Sequence, residues 1–390
     1  MTYMKHLLLT IGLMALLTAC HDSEENLTPE PGRAVLVYMA ANNNLGDGGY
    51  AKSDLMEMME GSKTMTGNDK LYVLYSHRTT PGIFQIENGD TIRLYTFDGN
   101  IKTSDPATLR TAIKWMTSKA QDVNEYGLVL WGHSTGWEVK QEGTSSRRRS
   151  YDAERADGTY YYMNITDMAE ALSDLPRLRF IFADCCVFQC VESCYELRNV
   201  ADYIIGSPAE IPANGAPYNT IVPTLFGRSE TFYKDIIDRY FEQQTDHYQL
   251  PLSAVKTAEL EQLAQQTHTV MASFVEPGAY QQTKDLIYYF DRSMIDMNDF
   301  IRSYASEEEY LSWKKQLDQT VVYKKFAAIW MTDGYNPHVN FNDFTVTEEK
   351  YGGISMFVYQ RPNTTFLRSL NETISQMGWY KAAGLSDFGW

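Results

Sequence analysis

The chain has 390 residues, with 34 Lys and Arg against 50 Asp and Glu, for a formal net charge of −16. That balance excludes non-specific nucleic-acid binding, which needs a basic surface. A hydrophobic content of 44% provides for a sizeable folded core.

Residues 1–19 carry one Lys and then the apolar run "LLLTIGLMALLTA", too short to span a bilayer comfortably and shaped like a secretory signal. The run ends "LTAC", so Cys20 stands where a lipoprotein signal is cut and the new first residue lipidated. The following "HDSEENLTPEPG" is polar and Pro-containing, as a flexible tether would be. The expected order is a signal peptide over 1–19, a tether over 20–33 and a folded domain over 34–390. The expected location is the cell envelope, with the lipid holding the chain to the outer membrane and the acidic start of the tether directing it to the cell surface.

From residue 34 strand-like and helix-like segments alternate. "AVLVYMAA" (34–41) is a continuous apolar run, as in a buried parallel strand. "SDLMEMMEG" has helical spacing and ends in Gly61. "KLYVLYSH" (70–77) is a second strand, and "GIFQIENGDTIRLYTF" is a hairpin turning at Asn88-Gly89. "SDPATLRTAIKWMTSKA" predicts a helix capped by Ser104 or Asp105, with Pro106 at its first position. "YGLVLWGH" (126–133) is a third buried strand, "ITDMAEALSDL" a short amphipathic helix and "RLRFIFAD" (177–184) a fourth strand. The polar segment 138–163 between them reads as a long loop. Beyond residue 220, "TFYKDIIDRYFEQ" and "TAELEQLAQQTHTVMASF" have helical spacing, and "YGGISMFVYQ" (351–360) is strand-like. This order predicts an α/β fold with helices on both faces of a mostly parallel sheet. Residues 220–390 are expected to complete the sheet and add helices.

Ligands of such sheets sit beyond the carboxyl ends of the strands. His133 closes the third strand and Cys185-Cys186 the fourth, so two reactive residue types reach one edge. Four cysteines, at 185, 186, 190 and 194, could reflect a metal site, a disulfide, core packing or a nucleophile. Their spacing matches no common zinc module, and an i, i+4 pair on a helix suits a disulfide poorly. Val187, Cys190, Val191, Cys194 and Tyr195 recur at the spacing of a buried helix face, with Gln189, Glu192, Ser193 and Glu196 opposite. Cys185 or Cys186 is then left at the head of that helix, where its dipole favours a thiolate. A thiolate with a His base is a cysteine-peptidase constellation. Caspases place their His about 50 residues before the Cys, and here the interval to Cys186 is 53. These features leave the choice between Cys185 and Cys186 open.

The segment "DCCVFQCVESCYEL" resembles the nucleophile motif of the clostripain-like cysteine peptidases, peptidase family C11, of the caspase-like clan. "LWGHSTGW" is similar to that family's His motif, with Ser134 where a Gly is usual. "VLVYMAANNNL" and "YIIGSPAEIPANGAPY" look like its opening strand and the strand and loop after the nucleophile. The resemblance implies a caspase-like α/β sheet and peptide-bond hydrolysis, with Cys186 as nucleophile and His133 as its partner. It implies an oxyanion site made by the backbone N–H groups of Ser134 and Cys186. It implies cleavage after Arg or Lys, with Asp184 and, as the nearest second acid, Glu210 in the specificity pocket. Arg147, Arg148 and Arg149 are then candidate self-cleavage positions. Expected partners are protein or peptide substrates and, through the lipid, a membrane. No cofactor is expected; calcium supports some family members, but the sequence has no EF-hand loop. The alternative is a surface lipoprotein that keeps the fold as a binding module without turnover.

Overall fold

The computed structural model describes residues 32–77, 80–99, 101–138, 151–156, 159–243, 250–332, 340–359, 361 and 364–390. Cys20, the signal and tether segments before residue 32 and Arg147–Arg149 lie outside the described residues. Among the described residues no helix is long and apolar enough to cross a membrane.

The strands in chain order are β1 (Gly32–Ala40), β2 (Lys70–Ser76), β3 (Gly82–Glu87), β4 (Asp90–Thr96), β5 (Val123–Trp131), β6 (Tyr151–Ala156), β7 (Thr159–Met163), β8 (Leu178–Asp184), β9 (Ala201–Gly206), β10 (Leu252–Lys256), β11 (Met294–Asp296), β12 (Val321–Lys325), β13 (Met331–Thr332), β14 (Asn340–Phe341) and β15 (Ser355–Phe357). Nine form one sheet in the order β12-β10-β9-β8-β5-β1-β2-β3-β4. Its centre, β9-β8-β5-β1-β2, is parallel. Antiparallel pairs extend it at both ends, β10 and β12 at one and the β3–β4 hairpin at the other.

The continuous apolar runs arise because both sheet faces are covered. Along β1, Leu36 and Tyr38 enter one core and Val35, Val37 and Met39 the other. The first core is closed by helices Pro106–Lys119, Ile165–Leu172, Leu260–Met271 and Glu307–Thr320, through Ile113, Met168, Leu263 and Trp313. The second is closed by Tyr50–Ser62, Tyr218–Leu225 and Phe232–Glu242, through Met58, Ile221 and Ile236. Asp105 caps its helix by accepting from the Ala107 amide at 2.9 Å, with Pro106 following as expected. Asn88 and Gly89 turn the hairpin at φ of 52° and 85°.

Three expectations are corrected. The polar stretch 138–163 contains the β6–β7 hairpin. Its polar residues are partly internal: Thr103 donates to Asp152 at 2.6 Å, Ser104 Oγ to Glu154 at 3.0 Å and Asn42 to Glu154 at 3.2 Å. Tyr151 is fully buried and reaches the carbonyls of Tyr38 and Trp131. The strand expected over 351–360 is only Ser355–Phe357, and it pairs with β11 rather than joining the main sheet. The helix expected directly after the cysteine pair starts at Val191, with Cys190 as its cap residue. Residues 185–190 instead bond sideways: Val187 N–H to Ala209 O, Gln189 N–H to Ser207 O and Ser355 N–H to Gln189 O. Those partners hold the backbone out of the helix, and Val187 sits at φ 55°, a strained value for a β-branched residue.

Candidate active site

Strands β5 and β8 are parallel neighbours in which Trp131 lies opposite Asp184, and Gly132 N–H bonds back to Asp184 O at 3.4 Å. His133 and Cys186 each lie two residues beyond that pair. The sheet register therefore delivers both to the same edge, as the sequence predicts.

His133 is half-buried, and its Nε2 lies 2.9 Å from Asn44 Oδ1. An amide oxygen only accepts, so this contact fixes the proton on Nε2 and leaves Nδ1 as the basic nitrogen. Asn44 opens a short helix behind β1; Asn43 caps that helix by accepting from Leu45 N–H at 2.9 Å. The sequence marks the "ANNNL" loop without revealing which Asn meets the histidine, because the contact spans 89 residues.

The Cys186 thiol is half-buried and rests on the loop after β9. Ile211 N–H donates to Sγ at 3.4 Å, and Ile211 O lies 3.9 Å away. Burial and then the Glu210 carboxylate push this thiol up to about 12. Since no helix begins at the cysteine, the expected dipole assistance is absent. Cys185 is fully buried, bonded to the Ser134 hydroxyl and driven well above an ordinary thiol by desolvation. Cys190 and Cys194 are buried as expected, and all four thiols are free, which excludes the disulfide reading. Among the described residues no group of three or more His, Cys, Asp or Glu is placed to hold a metal ion.

Ser134 is buried and its Oγ accepts from Gly136 N–H at 3.0 Å. Among the described residues neither the Ser134 nor the Cys186 amide donates to a backbone acceptor. Gly136 has φ 69°, and a Cβ there would lie 2.7 Å from Val187 O and 3.0 Å from Cys190 Sγ. The His-bearing and Cys-bearing loops thus touch through a position that only glycine fills without strain. Trp137 packs behind them in a cluster with Val187, Cys190, Phe290, Met294 and Phe357, which Cys186 also joins.

Asp184 is buried, not open to solvent. It accepts from Ala216 N–H at 3.1 Å, Tyr218 OH at 2.9 Å and Tyr240 OH at 2.9 Å, and desolvation raises its pKa. The carboxylate ties down the loop that carries Glu210 and Ile211. Glu210 is half-buried beside the thiol, its backbone held between the Val187–Ala209 and Cys186–Ile211 contacts. Behind this loop is a cavity of about 450 Å³ lined in part by Asp54, Glu57, Gly215, Pro217 and Tyr240. Trp131 Nε1 donates to Asp54 at 2.6 Å, and burial, then the charge of Asp184, raises Asp54 to about 8. Asp54 and Glu57 went unmarked in the sequence; their i, i+3 spacing on one helix was the available signal.

Glu192, expected opposite the buried face of its helix, is fully buried: β15 covers that side, and Phe357 N–H donates to Glu192 at 2.7 Å. Gln189 and Ser193, placed on the same side, are buried too.

Residues 37–383 match the model of the clostripain family, Peptidase C11. A secreted C11 cysteine protease from Bacteroides thetaiotaomicron, solved with an irreversible peptide inhibitor, superposes with a TM-score of 0.76 at 24% identity, over 91% of this chain and 99% of that one. An inactive zymogen C11 protease from Parabacteroides distasonis gives the same TM-score and coverage at 28% identity. A B. fragilis cysteine protease matches at 28% identity with a TM-score of 0.51, over 60% of this chain and 98% of that one. No curated protein sequence matches the chain.

Proposed function

Because the chain belongs to the clostripain family of cysteine peptidases, we propose that it is an endopeptidase acting through Cys186 and His133, with preference for Arg or Lys before the scissile bond. The observation that carries this reading is the delivery of both residues to one sheet edge, each two residues beyond the same register pair of adjacent parallel strands, with Asn44 holding the imidazole.

The thiol proton passes to His133 Nδ1, and Sγ attacks the substrate carbonyl carbon to form a tetrahedral oxyanion. The Ser134 and Cys186 amides, which have no backbone acceptor among the described residues, are the donors for that oxygen. The C–N bond breaks as His133 returns the proton to the leaving amine. Water then attacks the thioester with His133 as base, the C–S bond breaks, and the acid and free thiol are released. The steps balance with water alone.

Glu210 beside the thiol supports the basic preference: a cationic side chain there neutralises the charge that helps hold the thiol protonated. Asp184 supports it from behind by fixing the loop that bears Glu210. Self-cleavage at Arg147, Arg148 or Arg149 and lipidation of Cys20 belong to the same proposal and rest on the sequence. Hydrolysis of Arg and Lys fluorogenic peptides by the intact chain and by Cys186→Ala tests the reading. Equal rates in the two would overturn it.

A further inference from the structure

Most arginines in the described part of this acidic chain meet a carboxylate. Arg33 meets Glu125, Arg110 Asp174, Arg177 Asp202, Arg228 Asp69, Arg239 Glu242 and Arg302 Glu349. One cleft of about 500 Å³ has a basic and aromatic lining. Its lining includes Tyr280, Lys284, Arg292, Tyr359 and Arg361, and no carboxylate. Among the described residues Lys284 and Arg361 make no ion pair.

Both guanidinium groups of the lining lie over aromatic faces. Tyr280 and Tyr359 stack at 5.5 Å with planes 6° apart, and Tyr359 lies against Trp390 at 6.4 Å. The Arg361 guanidinium sits 5.4 Å over Tyr280 and that of Arg292 sits 4.7 Å over Tyr288. Arg292 also donates to the Lys284 carbonyl at 3.1 Å, which ties two parts of the lining together. An aromatic face orients a guanidinium without consuming its charge or its N–H fork. Asp285 and Asp291 adjoin Lys284 and Arg292 in sequence but do not line the cleft, and Asp291 accepts from the Ser293 amide at 2.7 Å.

The cleft is joined to the reactive cysteine. Tyr359 and Cys186 both pack on the cluster of Trp137, Val187, Phe290, Met294 and Phe357. One packed cluster therefore supports both the cysteine and the cleft residue Tyr359. Carboxylate is the matching ligand, since its two oxygens accept from a guanidinium fork in one plane.

We propose that this cleft is an exosite that docks Asp or Glu side chains of the polypeptide substrate, away from the residues flanking the scissile bond. It rests on the peptidase reading and adds acidic residues at a distance to the basic residue at the cut.

The test separates the two readings by using binding as well as turnover. The full chain carrying Cys186→Ala is titrated with a fluorescein-labelled peptide bearing six Glu, and fluorescence anisotropy is recorded. The Glu peptide binds, added salt weakens binding, and Lys284→Gln with Arg361→Gln weakens it at least about tenfold. An unchanged melting temperature confirms that this double variant is folded. In the catalytically intact chain the same double substitution lowers kcat/KM about tenfold for a substrate with a Glu tract and leaves its Gln-tract counterpart unchanged. Equal binding by the double variant, no binding of the Glu peptide, or binding only of a sulfated oligosaccharide would overturn the exosite. Binding of the Glu peptide without cleavage of any substrate by the intact chain would sustain the cleft's ligand class and defeat the peptidase reading.

Discussion

Asn44 Oδ1 lies 2.9 Å from Nε2 of His133, although the two residues are 89 positions apart. The contact couples the loop after the first strand to the loop after the fifth. It assigns Asn44 a positioning role, since it touches the imidazole and not the thiol. Asn44→Ala should lower kcat by roughly 10- to 100-fold with little change in KM, because the imidazole loses its fixed tautomer. Asn44→Asp should place a charge on Nε2–H and raise the imidazole pKa, moving the acid limb of the pH–rate profile upward. Steady-state kinetics across pH check both outcomes; a structural role alone would leave the profile where it is.

The resting thiol is the subject of a second prediction. Burial and the neighbouring Glu210 carboxylate raise Cys186 to about 12. A thiol is neutral below its pKa, so alkylation of the free enzyme by iodoacetamide should be slow near neutrality and accelerate as pH rises. Glu210→Gln removes the negative neighbour and should shift that pH dependence downward. The rate of Cys186 alkylation as a function of pH, followed by peptide mass spectrometry, measures it.

Glu192 provides a test of stability. Its carboxyl is buried against the β15 backbone and raised to about 7, chiefly by desolvation, from an ordinary 4.5. Between those values the unfolded chain releases the proton while the folded chain keeps it, so the folded state binds more protons. This group's contribution therefore falls as pH rises from about 4.5 to 7, by at most about 3 kcal/mol. Glu192→Gln retains an acceptor for Phe357 N–H and removes the titration. The difference in melting temperature, variant minus parent, should grow in the variant's favour across that window and then level off.

Gly136→Ala should be destabilising. The added Cβ meets Val187 O at 2.7 Å, and φ is 69°. A cost of about 1–3 kcal/mol is expected from the strained backbone, and activity should fall further because the loops bearing His133 and Cys186 meet there. Denaturant unfolding alongside kinetics separates the two effects.

The central sheet was legible because each parallel strand is buried on both faces and reads as an unbroken apolar run, from "AVLVYMAA" to "RLRFIFAD". The delivery of His133 and Cys186 to one edge followed from strand order alone. The tertiary contacts did not. Glu192 was placed opposite the buried face because helix periodicity cannot know that a strand residue 165 positions later will cover that side. The start of its helix was misplaced because the backbone of residues 187–189 is claimed by Ala209, Ser207 and Ser355, all distant in sequence. Asp184 was marked as a specificity acid from its place beside the nucleophile, and its burial under Tyr218 and Tyr240 was invisible until the fold was known. Asn44 was unassigned for the same reason: nothing local distinguishes it from Asn42 or Asn43.

The central claim is that Cys186, and not the adjacent Cys185, is the nucleophile. Its most direct test is intact-mass and peptide-mass analysis after treatment with a Lys- or Arg-directed acyloxymethyl ketone. One adduct on Cys186 is expected in the parent chain and in Cys185→Ala, and none in Cys186→Ala. An adduct on Cys185, or an adduct that persists in folded Cys186→Ala, would contradict the account.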